Sequence, residues 1–325
     1  MAKEVELNRE QLLDLYRQMQ LIRIFEDKSA EMYMDGNIRG FLHLYTGEEA
    51  IAVGTAAALS PDDYVVSHYR DHGHALARGI SPEAIMAELF GKATGCSGGR
   101  GGSMHLIDSS KNFTGGYAIV GGQLPIATGL ALAAKELQNH RIVLCFFGDG
   151  AINQGEFHEA LNLASLWGLP VIFFLENNLY GMGSHIERTY AGGRHVWKAA
   201  EHYQIPAAQV DGMDVLAVLE ATQHAAQQVR SGGGPYFLEG LTYRFRGHSM
   251  ADPISYRDQT EDQFWRERDP LITFKDKLLK SKEINEADFK EIFNWVESKV
   301  AASISYANAS SEPESDSLFQ YIFAE

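Results

Sequence analysis

Residues 141–180 read RIVLCFFGDGAINQGEFHEALNLASLWGLPVIFFLENNLY. Arg141 to Phe147 opens with one charge and continues as an unbroken apolar run, the pattern of a strand buried on both faces. Gly148-Asp149-Gly150 stands at its C-terminal end. Phe157, Ala160, Leu161 and Ala164 then recur at helical spacing on one face. Pro170 to Leu175 is a second apolar run, and Asn177-Asn178 lie just past it. A strand, a crossover helix and a strand of this length predict a parallel βαβ unit. Parallel strands share one C-terminal edge, where ligands of open α/β sheets bind. If the two strands are neighbours, roughly 5 Å apart, the Asp149 carboxylate and the Asn178 amide oxygen reach one cation. A single carboxylate among neutral oxygens suits Mg²⁺ that also keeps water and the phosphate oxygens of a ligand.

Working outward, Asn8 reads as the N-cap of a long helix reaching about Met34. Thr46 to Leu59 reads as a second helix stopped by Ser60-Pro61, Asp63 to Ser67 as a short strand, and Ser81-Pro82 as the start of another helix. Gly95 to Gly102 is glycine-dense loop, and Gly122 to Gln138 is a small-residue helix suited to packing on a sheet. Ile205–Val210 and Tyr236–Leu241 are further strands, separated by a helix from Val215 to Arg230. From Arg244 a long polar segment without periodicity, RFRGHSMADPISYRDQTED, reads as a loop that is either functional or disordered. Closing helices are expected at about 261–280 and 286–302, before a polar linker and the apolar tail 318–323. The pattern as a whole predicts an α/β fold: one parallel-sheet domain over 1–325, with helices on both faces, a helical N-terminal extension over about 8–35 and C-terminal helices and tail over about 261–325.

The 325 residues suffice for a sizeable core. A net charge of −15 argues against a nucleic-acid partner, and no apolar run approaches membrane-spanning length. Cys96 and Cys145 match no metal spacing, and two free thiols suit a reducing compartment. The N-terminal MAKEVELNREQLL has no apolar signal segment and is too acidic for a transit peptide, which points to a cytoplasmic chain or one encoded and kept in a plastid stroma. No G-x-G-x-x-G follows an early strand, against a dinucleotide-binding dehydrogenase. Arg70 and Arg244 each follow an apolar strand and so fall near a strand end, where a planar guanidinium suits phosphate. Taken singly, each would be an ordinary surface ion pair.

Gly-Asp-Gly with Asn-Asn at this spacing resembles the thiamine diphosphate fingerprint. Longer blocks narrow it: HLYTGEEA (43–50), SHYRDHGHALARG (67–79), GGSMH (101–105), GDGAINQGEFHEALNLASLW (148–167), ENNLYGMG (176–183) and RGHSMADPISYR (246–257). Together these resemble the alpha subunits of the decarboxylating component of 2-oxo acid dehydrogenases, most closely the pyruvate type, from about Asn8 to the end. The resemblance implies thiamine diphosphate and Mg²⁺ as cofactors. It implies Asp149, Asn178 and the carbonyl of Tyr180 as metal ligands, and Tyr69, Arg70, Ala118, Val120, Gly150, Ala151, Arg244 and His248 beside the cofactor. The family usually has glycine where Ala118 stands. His43 and His248 are implied as catalytic, His248 donating protons near neutral pH. His43 lies between apolar residues, a setting that by itself reads as core. His68, His72, His74 and His105 read as structural or loop residues, with His105 in GGSMH able to approach the cofactor pocket, and Ser249 and Ser255, which match phosphorylated positions of mitochondrial members, as plain loop.

The implied reaction is oxidative decarboxylation of pyruvate with transfer of the acetyl group to a lipoyl group. Stand-alone thiamine diphosphate enzymes carry a second domain whose glutamate serves the aminopyrimidine ring, and this chain has no room for one. The resemblance therefore implies a beta subunit completing the site, two copies of each chain, and a lipoyl-bearing acyltransferase. Acetoin and branched-chain 2-oxo acids are the rival substrates, Glu48 standing where many pyruvate-type chains have Gln. A non-catalytic subunit of the same fold is the reading from another class.

Overall fold

The computed structural model describes residues 7–282, 284–320 and 322. The N-terminal six residues and the apolar positions 321 and 323 of the tail lie outside them. Asn8 caps helix α1 (Arg9–Met34) through a reciprocal box with Gln11, each side chain accepting the other's backbone N–H at 3.0 Å. Next come α2 (Glu49–Ala58), strand β1 (Tyr64–His68), α3 (His72–Ala77) and α4 (Pro82–Leu89). Ser81 caps α4, with Pro82 in its first turn. β2 (Phe113–Tyr117) and α5 (Gln123–Glu136) precede β3 (Val143–Gly148), α6 (Gly155–Leu166) and β4 (Val171–Asn177). β5 (Ala207–Asp211), α7 (Val215–Arg230) and β6 (Tyr236–Leu241) complete the sheet, and α8 (Gln259–Arg266), α9 (Pro270–Lys280) and α10 (Glu286–Ala309) follow.

Among the described residues the sheet has six strands, all parallel, in the order β2-β1-β3-β4-β6-β5. β3 and β4 pair without slippage from Val143–Val171 to Gly148–Glu176, so Gly148-Asp149 and Asn177-Asn178 leave the sheet side by side. The chain runs outward from β1 to β2 and returns across β1 to β3. The ends of β1 and β3 thus flank a topological switch point.

Alternate residues of each central strand enter two cores. Leu144, Phe146, Ile172 and Phe174 belong to the core that also takes in buried residues of α1, α2, α7, α9 and α10. Val143, Cys145, Phe147, Val171 and Phe173 meet α5 and α6. Burial on both faces is why β3 and β4 read as continuous apolar runs. The buried residues of α6 are Phe157, Ala160, Leu161 and Ala164, the helical stripe seen in the sequence. No helix among the described residues is long and apolar enough to cross a membrane.

Four local departures from expectation have physical causes. α2 begins at Glu49, because Gly47 (φ 105°) turns the chain against the backbone of Tyr243 and Phe245, where any Cβ would overlap the Tyr243 carbonyl. The helix expected over 261–280 is broken between α8 and α9. Pro270 cannot continue a helix and disfavours a helical residue before it, and Asp269 caps the new one by accepting from Leu271 N–H at 2.9 Å. The last helix runs on to Ala309, its final turns burying Ser303 and Ala307. β2 was not anticipated at all: its two glycines weaken any strand signal, and pairing with β1 imposes the conformation.

Candidate active site

A cleft of about 370 Å³ opens at the C-terminal edge of the sheet. The end of β1 contributes His68, Tyr69 and Arg70. The entry to α5 gives Val120 and Gly121, the end of β3 gives Gly148 to Ala151, the end of β4 leads to Asn178 and Tyr180, and the segment after β6 gives Arg244 and His248. Of the expected site residues, Ala118 does not line this cleft. His43 stands behind it, its ring 4.7 Å from that of Tyr69 and 5.3 Å from that of His248.

Asp149 is buried, and burial pushes its carboxyl up to about 7 against the opposing pull of Arg244. A carboxylate so disfavoured as a bare charge is stabilised by a cation. Leu179 adopts φ 72°, uncommon for a non-glycine residue, and this reversal carries the chain from Asn178 to Tyr180 along the cleft. Asn178 Nδ2 donates to Glu48 Oε1 at 3.1 Å, and its Oδ1 accepts the Tyr180 N–H at 3.3 Å. Asn177 is structural, donating to Glu239 on β6 at 2.6 Å. A Cβ placed on Gly148 would meet nothing within 4 Å, and one on Gly150 only Gly181 Cα at 3.8 Å, so this edge leaves space for a ligand.

Two guanidiniums face that space. Arg70 is buried, donating to the carbonyls of Leu44 (2.8 Å) and His248 (2.9 Å). Burial, then the neighbouring Arg244, lowers its pKa to about 10. Two buried like charges at one cleft are relieved by an anion, as a diphosphate is. Arg244 donates to the Arg246 carbonyl at 3.1 Å. The segment beyond is organised by Asp252, whose carboxylate accepts from His248 N–H (2.6 Å), Ile254 N–H (3.0 Å) and Tyr256 O–H (2.5 Å). Burial first, then Arg70, holds His248 down to about 3 and His43 to about 2. Both are neutral imidazoles, and the buried Nδ1 of each has no hydrogen-bond partner among the described residues. Asp149, the neutral oxygens of Asn178 and Tyr180, the paired guanidiniums and the two imidazoles are groups of the kinds that would hold a Mg²⁺-bound diphosphate.

Sequence reasoning missed the polar layer beneath the cleft. Glu176 is buried and accepts hydrogen bonds from Tyr45 O–H, His68 Nε2 (2.5 Å) and His74 Nε2 (2.8 Å). A charged residue ending the apolar run PVIFFL was the available signal. His68, His74 and Glu176 lie within metal-ligand reach of one another. However, His68 Nδ1 accepts the Arg70 N–H at 3.0 Å, so its proton sits on Nε2 and is donated to Glu176. The trio is therefore a hydrogen-bonded cluster in this arrangement. His72 pairs with Glu26 at 2.9 Å, and His105 meets the Gly116 carbonyl, away from the cleft.

Residues 17–316 match the dehydrogenase E1 component family. The chain is 46% identical over 315 residues to the pyruvate dehydrogenase E1 component subunit alpha of Rhizobium meliloti, covering 97% of this chain and 90% of that one. It is 43% identical over 331 residues to the subunit of the same name from Porphyra purpurea, covering 100% and 96%. To the chloroplastic subunit alpha-3 of Arabidopsis thaliana it is 43% identical over 326 residues, covering 98% and 76%. The chain belongs to the dehydrogenase E1 component family. This family is thiamine diphosphate-dependent, and its alpha-subunit relatives include bacterial and plastid forms.

Proposed function

We propose that this chain is the alpha subunit, built as one domain, of a pyruvate dehydrogenase decarboxylating component. In this reading it carries out oxidative decarboxylation of pyruvate and passes the acetyl group to a lipoyl group of an acyltransferase. The observation that carries it is the convergence of Asp149, Asn178, Arg70, Arg244 and His248 on one cleft at the sheet's C-terminal edge. Asp149, Asn178 and the Tyr180 carbonyl would hold Mg²⁺. Arg70 and Arg244 would hold the diphosphate, with Tyr69, Val120, Gly150 and Ala151 along the cofactor and Ala118 further off. Thiamine diphosphate, when bound, supplies the nucleophilic carbon and electron sink that decarboxylation of a 2-oxo acid requires.

The protein's part is positioning. Arg70 ties the β1 end to the loop bearing His248 through that residue's carbonyl. His43 and His248, neutral and edge-on to each other, would orient the 2-oxo acid by N–H donation. Val120 and Met182 line the cleft yet stay exposed, 40% and 71%, as apolar surface that a beta subunit would cover. The assembly would contain two copies of each chain.

Co-expression with its beta subunit, followed by assay of pyruvate, acetoin and branched-chain 2-oxo acids with an artificial electron acceptor, tests this reading. Pyruvate is expected to give the highest kcat/KM. Preference for acetoin or a branched acid would replace the substrate, and no turnover of any of them would indicate a non-catalytic subunit.

A further inference from the structure

Gly47 fixes the turn 45–48 against the backbone that carries Arg244, and Phe245 N–H donates to the Thr46 carbonyl at 2.9 Å. That turn delivers Glu48 into the interior, where it is 1% exposed. Glu48 occupies the N-cap position of α2, yet its side chain makes no capping bond. Its Oε1 accepts from Asn178 Nδ2 instead, across 130 residues of sequence. Its Oε2 has no hydrogen-bond partner among the described residues and lies 3.8 Å from Arg70 Nε.

We propose that Glu48 is a positioning residue for the cation site, fixing the Asn178 amide so that its oxygen, and not its NH₂ group, is presented to the metal. The inference rests on the reading of Asp149, Asn178 and Tyr180 as the metal ligands. An asparagine amide can turn over, exchanging acceptor and donor at nearly equal shape. Glu48 Oε1 is set opposite Asn178 Nδ2 as an acceptor, and an oxygen held there favours the orientation that turns the amide NH₂ toward Glu48 and its oxygen away. The Tyr180 N–H, donating to Oδ1 at 3.3 Å, selects the same one from the other side. Outer partners of this kind orient metal ligands, and their loss costs roughly 10- to 100-fold in metal affinity. The second oxygen of Glu48 draws Arg70 toward the same point, so one buried side chain coordinates the metal side and the diphosphate side of the site.

The test measures Mg²⁺ affinity by calorimetry on the assembly with its beta subunit, at saturating thiamine diphosphate. Glu48→Met keeps the length and removes the acceptor, and is expected to weaken Mg²⁺ about 10-fold or more. Glu48→Gln retains an oxygen for Asn178 and is expected to stay within about 3-fold. Wild-type affinity in Glu48→Met, or an equal loss in the Met and Gln variants, would overturn the proposal. If Glu48→Met fails to fold, the shorter apolar Glu48→Leu takes its place against Glu48→Gln under the same two criteria. Asp149→Ala separates the underlying reading: unchanged Mg²⁺ binding there means the metal lies elsewhere, whereas abolished binding beside a silent Glu48→Met refutes the role of Glu48 alone.

Discussion

His68 Nε2 donates to Glu176 Oε2 at 2.5 Å, joining the end of β1 to the end of β4 across the intervening β3. The same imidazole accepts the Arg70 N–H through Nδ1. His68 thus connects the backbone that presents Tyr69 and Arg70 to a carboxylate rooted two strands away.

Removing this link should be felt in stability before chemistry. His68→Ala leaves Glu176, a buried charge, with two of its three donors. A destabilisation of roughly 1–3 kcal/mol is expected, read as a lower midpoint of thermal unfolding. Cofactor affinity should also weaken as Arg70 loses its anchor. An unchanged midpoint would show that the contact contributes little.

Asp149→Ala should abolish Mg²⁺-dependent binding of thiamine diphosphate without unfolding the chain. The carboxylate is the one formal negative charge among the proposed ligands, and it lies past the end of β3, outside the packed strand interior. Calorimetry with and without Mg²⁺, alongside circular dichroism, checks both halves. Retained metal-dependent affinity would refute the ligand assignment.

His248→Ala should keep cofactor affinity within a few-fold and lower turnover by about 10²- to 10⁴-fold. Its backbone carbonyl, which receives Arg70, survives the substitution, so the loss isolates the imidazole. Asp252→Ala should instead loosen the whole segment 246–258, since three donors converge on that carboxylate. Faster hydrogen exchange across 246–258 in Asp252→Ala, but not in His248→Ala, is the expected contrast.

The two cleft histidines also predict a pH effect of definite sign. Both are held far below the ordinary value, to about 2 for His43 and about 3 for His248. Between those values and about 6.5 the unfolded chain binds the extra protons, so their contribution is full above pH 6.5 and is lost on acidification. Going from pH 7 to pH 5 should cost roughly 2 kcal/mol through His43 and less through the more open His248. Thermal unfolding at the two pH values should show a smaller acid loss in a His43→Gln/His248→Gln double variant than in the wild type. Equal losses would mean that these imidazoles are charged in the folded protein.

The β3–α6–β4 unit was legible in the sequence because its information is local. Apolar runs, a helical stripe and strand-end motifs lie within 40 consecutive residues, and burial on both faces leaves β3 and β4 little freedom of composition. The capping box at Asn8 is equally local, and the break at Pro270 was available to the same reasoning. The ends of β1, β3 and β4 could be placed at one edge because parallel pairing fixes direction. What tertiary structure alone decided is which side chains meet beneath that edge. β2 became a strand through pairing with β1, against the tendency of FTGGY, and His43 came to rest behind Tyr69 and His248 although its neighbours in sequence are core residues. Glu48 reaches Asn178 across 130 residues and His68 reaches Glu176 across 108. No periodicity encodes such pairs: a buried carboxylate and its donor need only the right strand ends and the right layer, and those exist once the sheet has been assembled.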